Sequence, residues 1–170
     1  MAASKKVTNF LDNKGVKYEM ISHRKVFTAF DKAKTMKIPE NSVGKTLVVK
    51  FNSKAGIALI PSSKNLDKDK LKKLINFWLE KKKEKKAGKI DFAKEAWIKK
   101  NLKGAKVGAV PPIGSLWKLP TFLDKSLLDN SKIIFSAGDY SWSVKMTPAA
   151  FKKALQGQDL LIEGSFSKKK

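Results

Sequence analysis

Apolar side chains recur at helical spacing in the middle of the chain, and they predict one long helix there. In the stretch DKDKLKKLINFWLEKKKEKK, Leu71, Leu74, Ile75 and Trp78 occupy positions i, i+3, i+4 and i+7. A stripe of this kind predicts a helix with one buried face. The last residues of the stretch, 81–86, offer no apolar position, so we expect them to project into solvent.

Four further helices are predicted from apolar spacing and from residues that start or stop helices. They are SKKVTNFLDNKG, which Gly15 would end; TAFDKAKTMK, which starts with a capping-box-like Thr28 and Asp31 and is bounded by Pro39; DFAKEAWIKKNLKG, which ends at Gly104; and TPAAFKKALQG, with Thr147 as cap, Pro148 at the first position and Gly157 as terminator.

Short apolar runs between Gly, Pro and Asp residues predict strands. KTLVVKF and GIALIPSS are separated by residues 52–55 and predict a hairpin. The other strand-like pieces are VKYEMIS, which ends near His23, and then KVGAVPP, WKLPTFLD, KIIFSAG and SWSVKM. Strands that cluster in pairs, with helices at both ends and a helical insertion between, indicate an α+β fold rather than alternating βαβ units.

Length and composition limit what the chain can be. Its 170 residues predict a single domain, residues 1–166, with a lysine-rich helical insertion at about 72–103 and a loose basic tail at 167–170. The absence of cysteine and the presence of one histidine, His23, exclude disulfides, thiolate catalysis and histidine-rich metal sites. No apolar run is long enough to span a membrane and the first residues do not resemble a signal peptide, so we expect a soluble cytoplasmic protein.

The formal net charge of +22 predicts a polyanionic partner. A surplus of this size repels itself, and contact with nucleic acid would release counterions. Nucleic acid is therefore the favoured partner and an anionic membrane surface the second, while a lysine-rich solvated surface with no such role is the structural alternative.

The stretch VGKTLVVKF raises the question of why Lys45 stands directly before a strand of buried character. The letters GKT also occur in phosphate-binding loops, but the upstream glycine is missing and a strand follows instead of a helix. ATP binding is therefore not favoured, and we expect neither a cofactor nor a metal.

Several short motifs follow one another in an order that is typical of a known family. They are His23, Thr28 and Phe30, then KTLV (45–48), GAVPPIG (108–114), LPTFLD (119–124) and SAGDYSWSV (136–144). In this order the chain resembles the prolyl-tRNA editing-domain family, the YbaK-like aminoacyl-tRNA deacylases, over most of residues 18–155. The resemblance implies a mixed, curved and partly barrel-like β-sheet flanked by helices. It also implies hydrolysis in trans of the ester of mischarged tRNA, with a small amino acid such as Ala, Ser or Cys on tRNA-Pro or a related tRNA.

The resemblance also implies which residues form the site. Gly108 would bring backbone to the scissile ester, and Lys45 would anchor the substrate through its carbonyl or terminal nucleotide, without a side-chain nucleophile. We expect these two to face each other across one cleft. The implied substrate-binding residues are His23, Phe30, Thr46, Pro111, Pro112, Gly114, Ser136, Gly138 and Ser143.

Each of these residues also has an ordinary structural explanation. Lys45 could simply extend from a strand end to water, the glycines and prolines could form only a turn, and Phe30 could belong to the core. Polar strand-end residues commonly satisfy backbone groups, and a lone histidine is more often structural than a base. The chain departs from the family pattern at Pro111, where relatives commonly have serine, and in its longer, more lysine-rich residues 72–103.

Two other functions remain open. The chain could be a non-catalytic module that binds tRNA or associates with an aminoacyl-tRNA synthetase. It could also be a basic domain that docks on acidic protein or membrane surfaces, although we expect no membrane partner. Strong salt-dependent tRNA binding without turnover favours the first alternative, and equal binding to any polyanion favours the second.

Overall fold

Five helices and three β-sheets form the part of the chain that the computed structural model describes, residues 2–157 and 160–170. The helices are α1 (Ala2–Asn13), α2 (Ala29–Met36), α3 (Lys68–Lys81), α4 (Glu95–Asn101) and α5 (Pro148–Leu155). The strands are β1 (Glu19–Ser22), β2 (Gly44–Phe51), β3 (Lys54–Pro61), β4 (Lys64–Leu66), β5 (Ile90–Phe92), β6 (Thr121–Asp124), β7 (Ile133–Ser136), β8 (Trp142–Met146), β9 (Leu161–Gly164) and β10 (Ser167–Lys169). The predicted α+β class is confirmed.

The predicted hairpin of β2 and β3 lies at the centre of a five-stranded mixed sheet with the order β5-β2-β3-β6-β9. β5 pairs antiparallel with β2, whereas β6 and β9 run parallel to β3. In the described residues the two edges of this sheet, β5 and β9, do not pair with each other. The expectation of a partly barrel-like sheet is therefore not confirmed.

A second, antiparallel sheet has the order β1-β8-β7. Its register places Ser136 of β7 directly opposite Ser143 of β8. An isolated parallel bridge between Val43 and Ile134 connects this sheet to the beginning of β2. The hairpin between β7 and β8 thereby lies beside the end of β2 that carries Lys45.

Helices pack on both sheets and enclose separate apolar clusters. α1 and α5 contribute Val7, Leu11 and Phe151 to a cluster that includes Phe135 and Val144 of the three-stranded sheet. The stripe predicted for α3 packs on the central hairpin, with Leu71 and Ile75 fully buried and Leu74 and Trp78 partly buried, and the fully buried Leu79 extends it. Local signals also give the predicted caps, because Thr28 and Thr147 each accept a hydrogen bond from the third residue that follows.

The description of residues 72–103 as a helical insertion is incomplete. Residues 90–92 form β5 and pair with β2, so this segment extends the central sheet. α4 is correspondingly shorter than the predicted helix, since it begins at Glu95. A strand of three residues carries no measurable alternation, and for this reason the pattern of the sequence does not indicate it.

The prediction of a loose C-terminal tail is wrong. Ser167–Lys169 forms β10 and pairs with β4, and the Phe166 side chain before it is fully buried. The buried carboxylate of Asp124 fixes this segment, because it accepts hydrogen bonds from the backbone N–H groups of Phe166 and Ser167. A partner forty-two residues away in the sequence leaves no local signal at the tail itself.

The prediction that KVGAVPP is a strand is also wrong. Residues 105–113 have no regular secondary structure. Pro111 and Pro112 are nevertheless buried, as is Ile113 after them. The two prolines therefore lie in the interior and not in an exposed loop.

Candidate functional site

The helix α2 carries two candidate site residues in very different surroundings, Phe30 at the surface and Lys32 in the interior. The Thr28 hydroxyl accepts a hydrogen bond from the backbone N–H of Asp31 at 3.0 Å and so fixes the start of the helix. Phe30 is 43% exposed, whereas Lys32 is only 3% exposed. Hydrogen bonds and strand register connect Lys32 with three other residues, and the four together are named here the buried cluster: His23, Lys32, Ser136 and Ser143.

The amine of Lys32 reaches across to the small sheet. Its Nζ lies 2.7 Å from the Oγ of Ser136 and donates a hydrogen bond to it. Among the described residues no carboxylate forms an ion pair with Lys32, so its partner is a neutral hydroxyl. Burial alone lowers the pKa of Lys32 to about 7, because the charged form is poorly solvated there.

His23 has a defined tautomer in the buried cluster. Its Nδ1 lies 2.8 Å from the carbonyl oxygen of Arg24, which can only accept, so Nδ1 carries the proton. Nε2 of the neutral ring then accepts a hydrogen bond from the Ser143 hydroxyl at 2.8 Å. Burial lowers the pKa of His23, and the nearby Lys32 lowers it further, while the bond to Arg24 opposes this shift.

Hydrogen bonds from the turn between β7 and β8 hold the loop that contains Gly108. The carbonyl oxygen of Gly138 accepts a hydrogen bond from the backbone N–H of Lys106 at 3.0 Å, and the Tyr140 hydroxyl donates to the carbonyl oxygen of Val107. The Lys106 amine also lies 2.9 Å from the Asp139 carboxylate, and this contact is the main reason that the pKa of Asp139 is lowered. Gly108 is held next to the β7–β8 turn in this way.

Gly108 itself is exposed and has a backbone that favours glycine. Its φ of +85° lies in the left-handed region, and a Cβ at this position would lie 3.3 Å from the carbonyl oxygen of Phe27. A cleft of about 260 Å³ lies between the segment of Phe27 and α2, and its lining includes Arg24 and Lys34. The main chain of Gly108 is thus accessible close to a basic cleft.

A second group of residues, named here the surface cluster, consists of Phe30, Glu40, Lys45 and Lys170. The Lys170 amine lies 3.7 Å from the Glu40 carboxylate and 5.9 Å from the centre of the Phe30 ring. Burial is the main cause of a lowered pKa at the half-buried Lys45, and the positive charge of Lys170 adds to it. Phe30 is therefore an exposed ring among lysines and not an ordinary core residue.

The contacts do not show Lys45 and Gly108 facing each other across one cleft. The Lys45 amine donates to the carbonyl oxygen of Lys64 at 3.0 Å. Leu47 is two residues after Lys45 on β2 and packs against the apolar cluster to which α3 contributes. Val48, the next residue, packs instead with Val110 of the loop that contains Gly108. Since alternate residues of a strand point to opposite faces, Lys45 lies on the α3 side of β2.

Thr46 lies on the other side of β2, the side of Val48. Its hydroxyl is buried and has no hydrogen-bond partner among the described residues. Buried polar groups normally have a partner, so an unpaired hydroxyl here marks a position where a water molecule or a ligand atom would be stabilised.

The remaining glycine of the predicted loop has a structural role. A Cβ on Gly114 would lie 2.5 Å from the carbonyl oxygen of Leu119, and its backbone N–H donates to the Thr121 hydroxyl at 2.8 Å. These contacts hold Gly114 against the beginning of β6, and Pro111 and Pro112 lie buried shortly before it in the chain. Contact of these three residues with a substrate stays a prediction.

Lys32 is the residue of this site that the sequence patterns did not single out. A signal for it exists, because Ala29, Lys32, Ala33 and Met36 stand at positions i, i+3, i+4 and i+7. Lysine thus occupies one slot of an otherwise apolar stripe, and this stripe is the buried face of α2. In a chain with this many lysines, the residue is easily mistaken for part of a solvated face.

Within residues 2–157 and 160–170, no group of three or more His, Cys, Asp or Glu side chains is placed to hold a metal ion. No helix in the same residues is long and apolar enough to cross a membrane.

Comparisons with known proteins identify relatives of this arrangement. A model of the aminoacyl-tRNA editing domain matches residues 23–154. The crystal structure of hypothetical protein APE2540 superposes with a TM-score of 0.78 at 20% identity, covering 96% of this chain and 99% of that one. The crystal structure of "a putative trans-editing enzyme for prolyl tRNA synthetase" gives a TM-score of 0.77 at 20% identity, covering 99% and 98%. A comparison with curated protein sequences gives no significant match.

Proposed function

Because the chain belongs to the aminoacyl-tRNA editing domain family, we propose that it is an aminoacyl-tRNA deacylase that acts in trans on mischarged tRNA. The observation that carries this proposal is the match over residues 23–154, which include all of the buried cluster and Gly108. We propose a small amino acid, Ala, Ser or Cys, on tRNA-Pro or a related tRNA as the substrate. An aminoacyl-tRNA synthetase is a further proposed partner.

The proposed reaction is hydrolysis of the ester without a covalent enzyme intermediate. Water adds to the ester carbonyl, the bond to the ribose oxygen breaks, and free amino acid and the tRNA 3′ end result. An ester of this type is already activated, so orientation and stabilisation of the developing oxyanion suffice. Ser143 is fully buried, so its hydroxyl is closed off from an incoming ester carbonyl, and this burial argues against Ser143 as a nucleophile even though His23 accepts its proton.

Gly108 is proposed to supply the backbone contact to the ester. Its exposed main chain lies beside the β7–β8 turn and the basic cleft lined by Arg24 and Lys34. The absence of a Cβ permits a close approach of the substrate.

The surface cluster is proposed to hold the terminal nucleotide of the RNA. The Phe30 ring is exposed and lies 4.9 Å from the Lys34 amine, so a base could stack on it while lysines neutralise phosphate. In this proposal Lys45 anchors the 3′ end and does not take part in the chemical step, because its amine lies on the α3 side of β2. The net charge of +22 supports affinity for tRNA that weakens as salt is added.

Deacylation of a panel of mischarged tRNAs tests the proposal. The wild type, Lys45→Ala and the matched control Lys17→Ala, which alters an exposed lysine before β1, are compared at several tRNA concentrations. We expect hydrolysis well above the spontaneous rate by the wild type and the control, and a raised KM with little change in kcat for Lys45→Ala. Equal KM and kcat in all three proteins would remove Lys45 from the site, and no hydrolysis by any of them would refute the deacylase.

A non-catalytic tRNA-binding module is the second candidate. The observation in its favour is the burial of Lys32 and Ser143, which closes part of the buried cluster to solvent. It predicts salt-dependent binding of tRNA with no turnover of any aminoacyl ester in the panel.

A further inference from the structure

We propose that Lys32 is a positioning residue for catalysis, which aims the hydroxyl proton of Ser136 at the oxyanion of the ester. The inference rests on the deacylase proposed above and names the pair of residues that would stabilise the oxyanion of the ester. Ser136 is the group that would touch the reacting oxygen, and Lys32 acts through it.

The direction of the hydrogen bond between them carries the inference. An ammonium group can only donate, so the Ser136 Oγ must accept from Lys32 across their 2.7 Å contact. The hydroxyl proton of Ser136 is then left to point elsewhere. Ser136 is half-buried while Lys32 is almost completely buried, so Ser136 is the member of the pair that a substrate can reach.

The surroundings of Lys32 lack the anion that a buried ammonium normally has. Buried charges are usually paired, but among the described residues no carboxylate forms an ion pair with this amine. Asp139, in the turn that follows β7, is paired with Lys106 at 2.9 Å. Negative charge that develops on an ester oxygen at Ser136 would supply the missing counter-charge only in the transition state, which is the condition for catalysis.

An apolar residue would fit the position of Lys32 better if packing were all that mattered. The residue stands in the stripe Ala29, Lys32, Ala33 and Met36, whose buried members otherwise need no solvation. Methionine is of similar length and would fill this slot without a desolvation penalty.

The groups around Lys32 also predict a pH dependence. The titratable group that faces it is His23, which follows β1, while β7 and β8 present the neutral hydroxyls of Ser136 and Ser143. On the helix itself, Asp31 and Lys34 flank the residue from the side of the basic cleft. Burial brings the pKa of Lys32 to about 7, so the protonated, positioning form is lost as the pH rises above neutrality.

Steady-state deacylation from pH 6 to pH 9 by the 170-residue chain tests the inference. Relative to the wild type, Lys32→Met is expected to lower kcat by about 10²-fold with KM changed by less than about 3-fold. The decrease in kcat that the wild type shows between about pH 7 and pH 8 should be absent from this variant. Ser136→Ala is expected to show the same loss, and the double variant no more than either single one, since the two residues act as a unit.

Chemical rescue separates the charge of Lys32 from its shape. The chain contains no cysteine, so Lys32→Cys offers one unique thiol for alkylation in the unfolded protein before refolding. Aminoethylation restores an amine of nearly the length of lysine, whereas propylation gives a neutral side chain of similar size. We expect activity to return with the first reagent only, and wild type treated in the same way serves as the control for refolding.

The outcomes distinguish this inference from the proposed function. Wild-type hydrolysis together with Lys32→Met activity within about 3-fold at every pH overturns the role of Lys32 and leaves the deacylase standing. Equal rescue by the neutral and the charged reagent also overturns it, because shape alone would then suffice. A wild type that hydrolyses no ester in the panel refutes the deacylase and, with it, the role of the pair.

Discussion

Asp124 holds Ser167 through both of its carboxylate oxygens. Oδ1 accepts a hydrogen bond from the Ser167 backbone N–H at 3.1 Å, and Oδ2 accepts one from the Ser167 hydroxyl at 2.8 Å. Oδ1 also accepts from the Phe166 backbone N–H at 2.8 Å, which brings a fully buried ring to the end of β6. One buried carboxylate thereby joins the C-terminal strand to the central sheet.

Asp124→Ala is expected to lower the free energy of unfolding by about 2–4 kcal/mol, because it leaves several buried donors without an acceptor. Urea denaturation measures the change, and limited proteolysis should show early cleavage after residue 164. Asp129→Ala, at the end of the turn that follows β6, is the matched control and should change stability by less than about 0.5 kcal/mol. An unchanged urea midpoint for Asp124→Ala would mean that β10 is held in some other way.

Gly114→Ala is expected to cost about 2–4 kcal/mol of stability, because the new methyl group would meet backbone and not a flexible side chain. The nearest atom is the Leu119 carbonyl oxygen at 2.5 Å. Gly88→Ala is the control, since a Cβ there meets nothing within 4 Å. Thermal unfolding of both variants checks the difference, and equal melting temperatures would contradict the close packing of the loop against β6.

Lys32→Met is expected to raise stability at pH 7 by about 1–4 kcal/mol while it lowers activity, since it removes a buried amine without a carboxylate partner. The sign follows from the pKa of Lys32, which is about 7 in the folded protein and ordinarily 10.5 for a lysine in water. The unfolded chain binds more protons between these two values, so the stability that the lysine contributes is present above pH 10.5 and is lost as the pH falls towards 7.

Urea denaturation at pH 7 and at pH 9.5 measures this effect. The advantage of Lys32→Met over the wild type should be large at pH 7 and smaller at pH 9.5, where the amine is neutral in the folded protein. A variant that is less stable than the wild type at pH 7 would show that the bond to Ser136 outweighs the cost of burial.

His23→Gln is expected to flatten the dependence of stability on pH between pH 7 and pH 5. Burial and the neighbouring Lys32 lower the pKa of His23 below its ordinary value of 6.5. Its contribution to stability is therefore present above pH 6.5 and is lost as the pH falls through the lower, folded-state pKa. Because this is the chain's single histidine, the difference between the urea midpoints of wild type and variant isolates it, and parallel curves would contradict the shift.

Local signals in the sequence were sufficient for most of the fold. Thr28 and Thr147 cap the helices that they were predicted to cap, and the stripe through Leu71 and Ile75 is the buried face of α3. The short strands β4, β5, β9 and β10 were not predicted, because three or four residues carry no clear period and the strands pair with distant parts of the sequence.

Only some features of the candidate site could be predicted from the sequence, for a related reason. The register that places Ser136 opposite Ser143 and the side of β2 on which Lys45 lies are results of the fold, so spacing along the chain does not give them. Lys32 was missed because a lysine on a short helix of a chain with net charge +22 is expected to face solvent.

The run of lysines after α3 gives the last prediction, which concerns RNA binding. Lys81, Lys82, Lys85 and Lys86 are exposed, and Glu84 between them is engaged by Lys54. With the exposed Lys83, five cations therefore lie within residues 81–86 with little local compensation, as a surface that contacts phosphates would require. Replacing Lys81, Lys82, Lys85 and Lys86 with Gln should reduce the slope of log K against log salt for tRNA binding by about 1–3, since each phosphate contact contributes about 0.9.

A charge-matched variant separates this surface from the overall charge of the protein. Lys5, Lys17, Lys125 and Lys132 are exposed on other elements, and their replacement with Gln lowers the net charge by the same amount. Fluorescence anisotropy of labelled tRNA between 50 and 300 mM salt gives both slopes. If the lysine run is a specific binding surface, only the variant within residues 81–86 shows the smaller slope. Equal reduction of both slopes would mean that the overall charge acts without a defined binding site, and that the lysine run only contacts solvent.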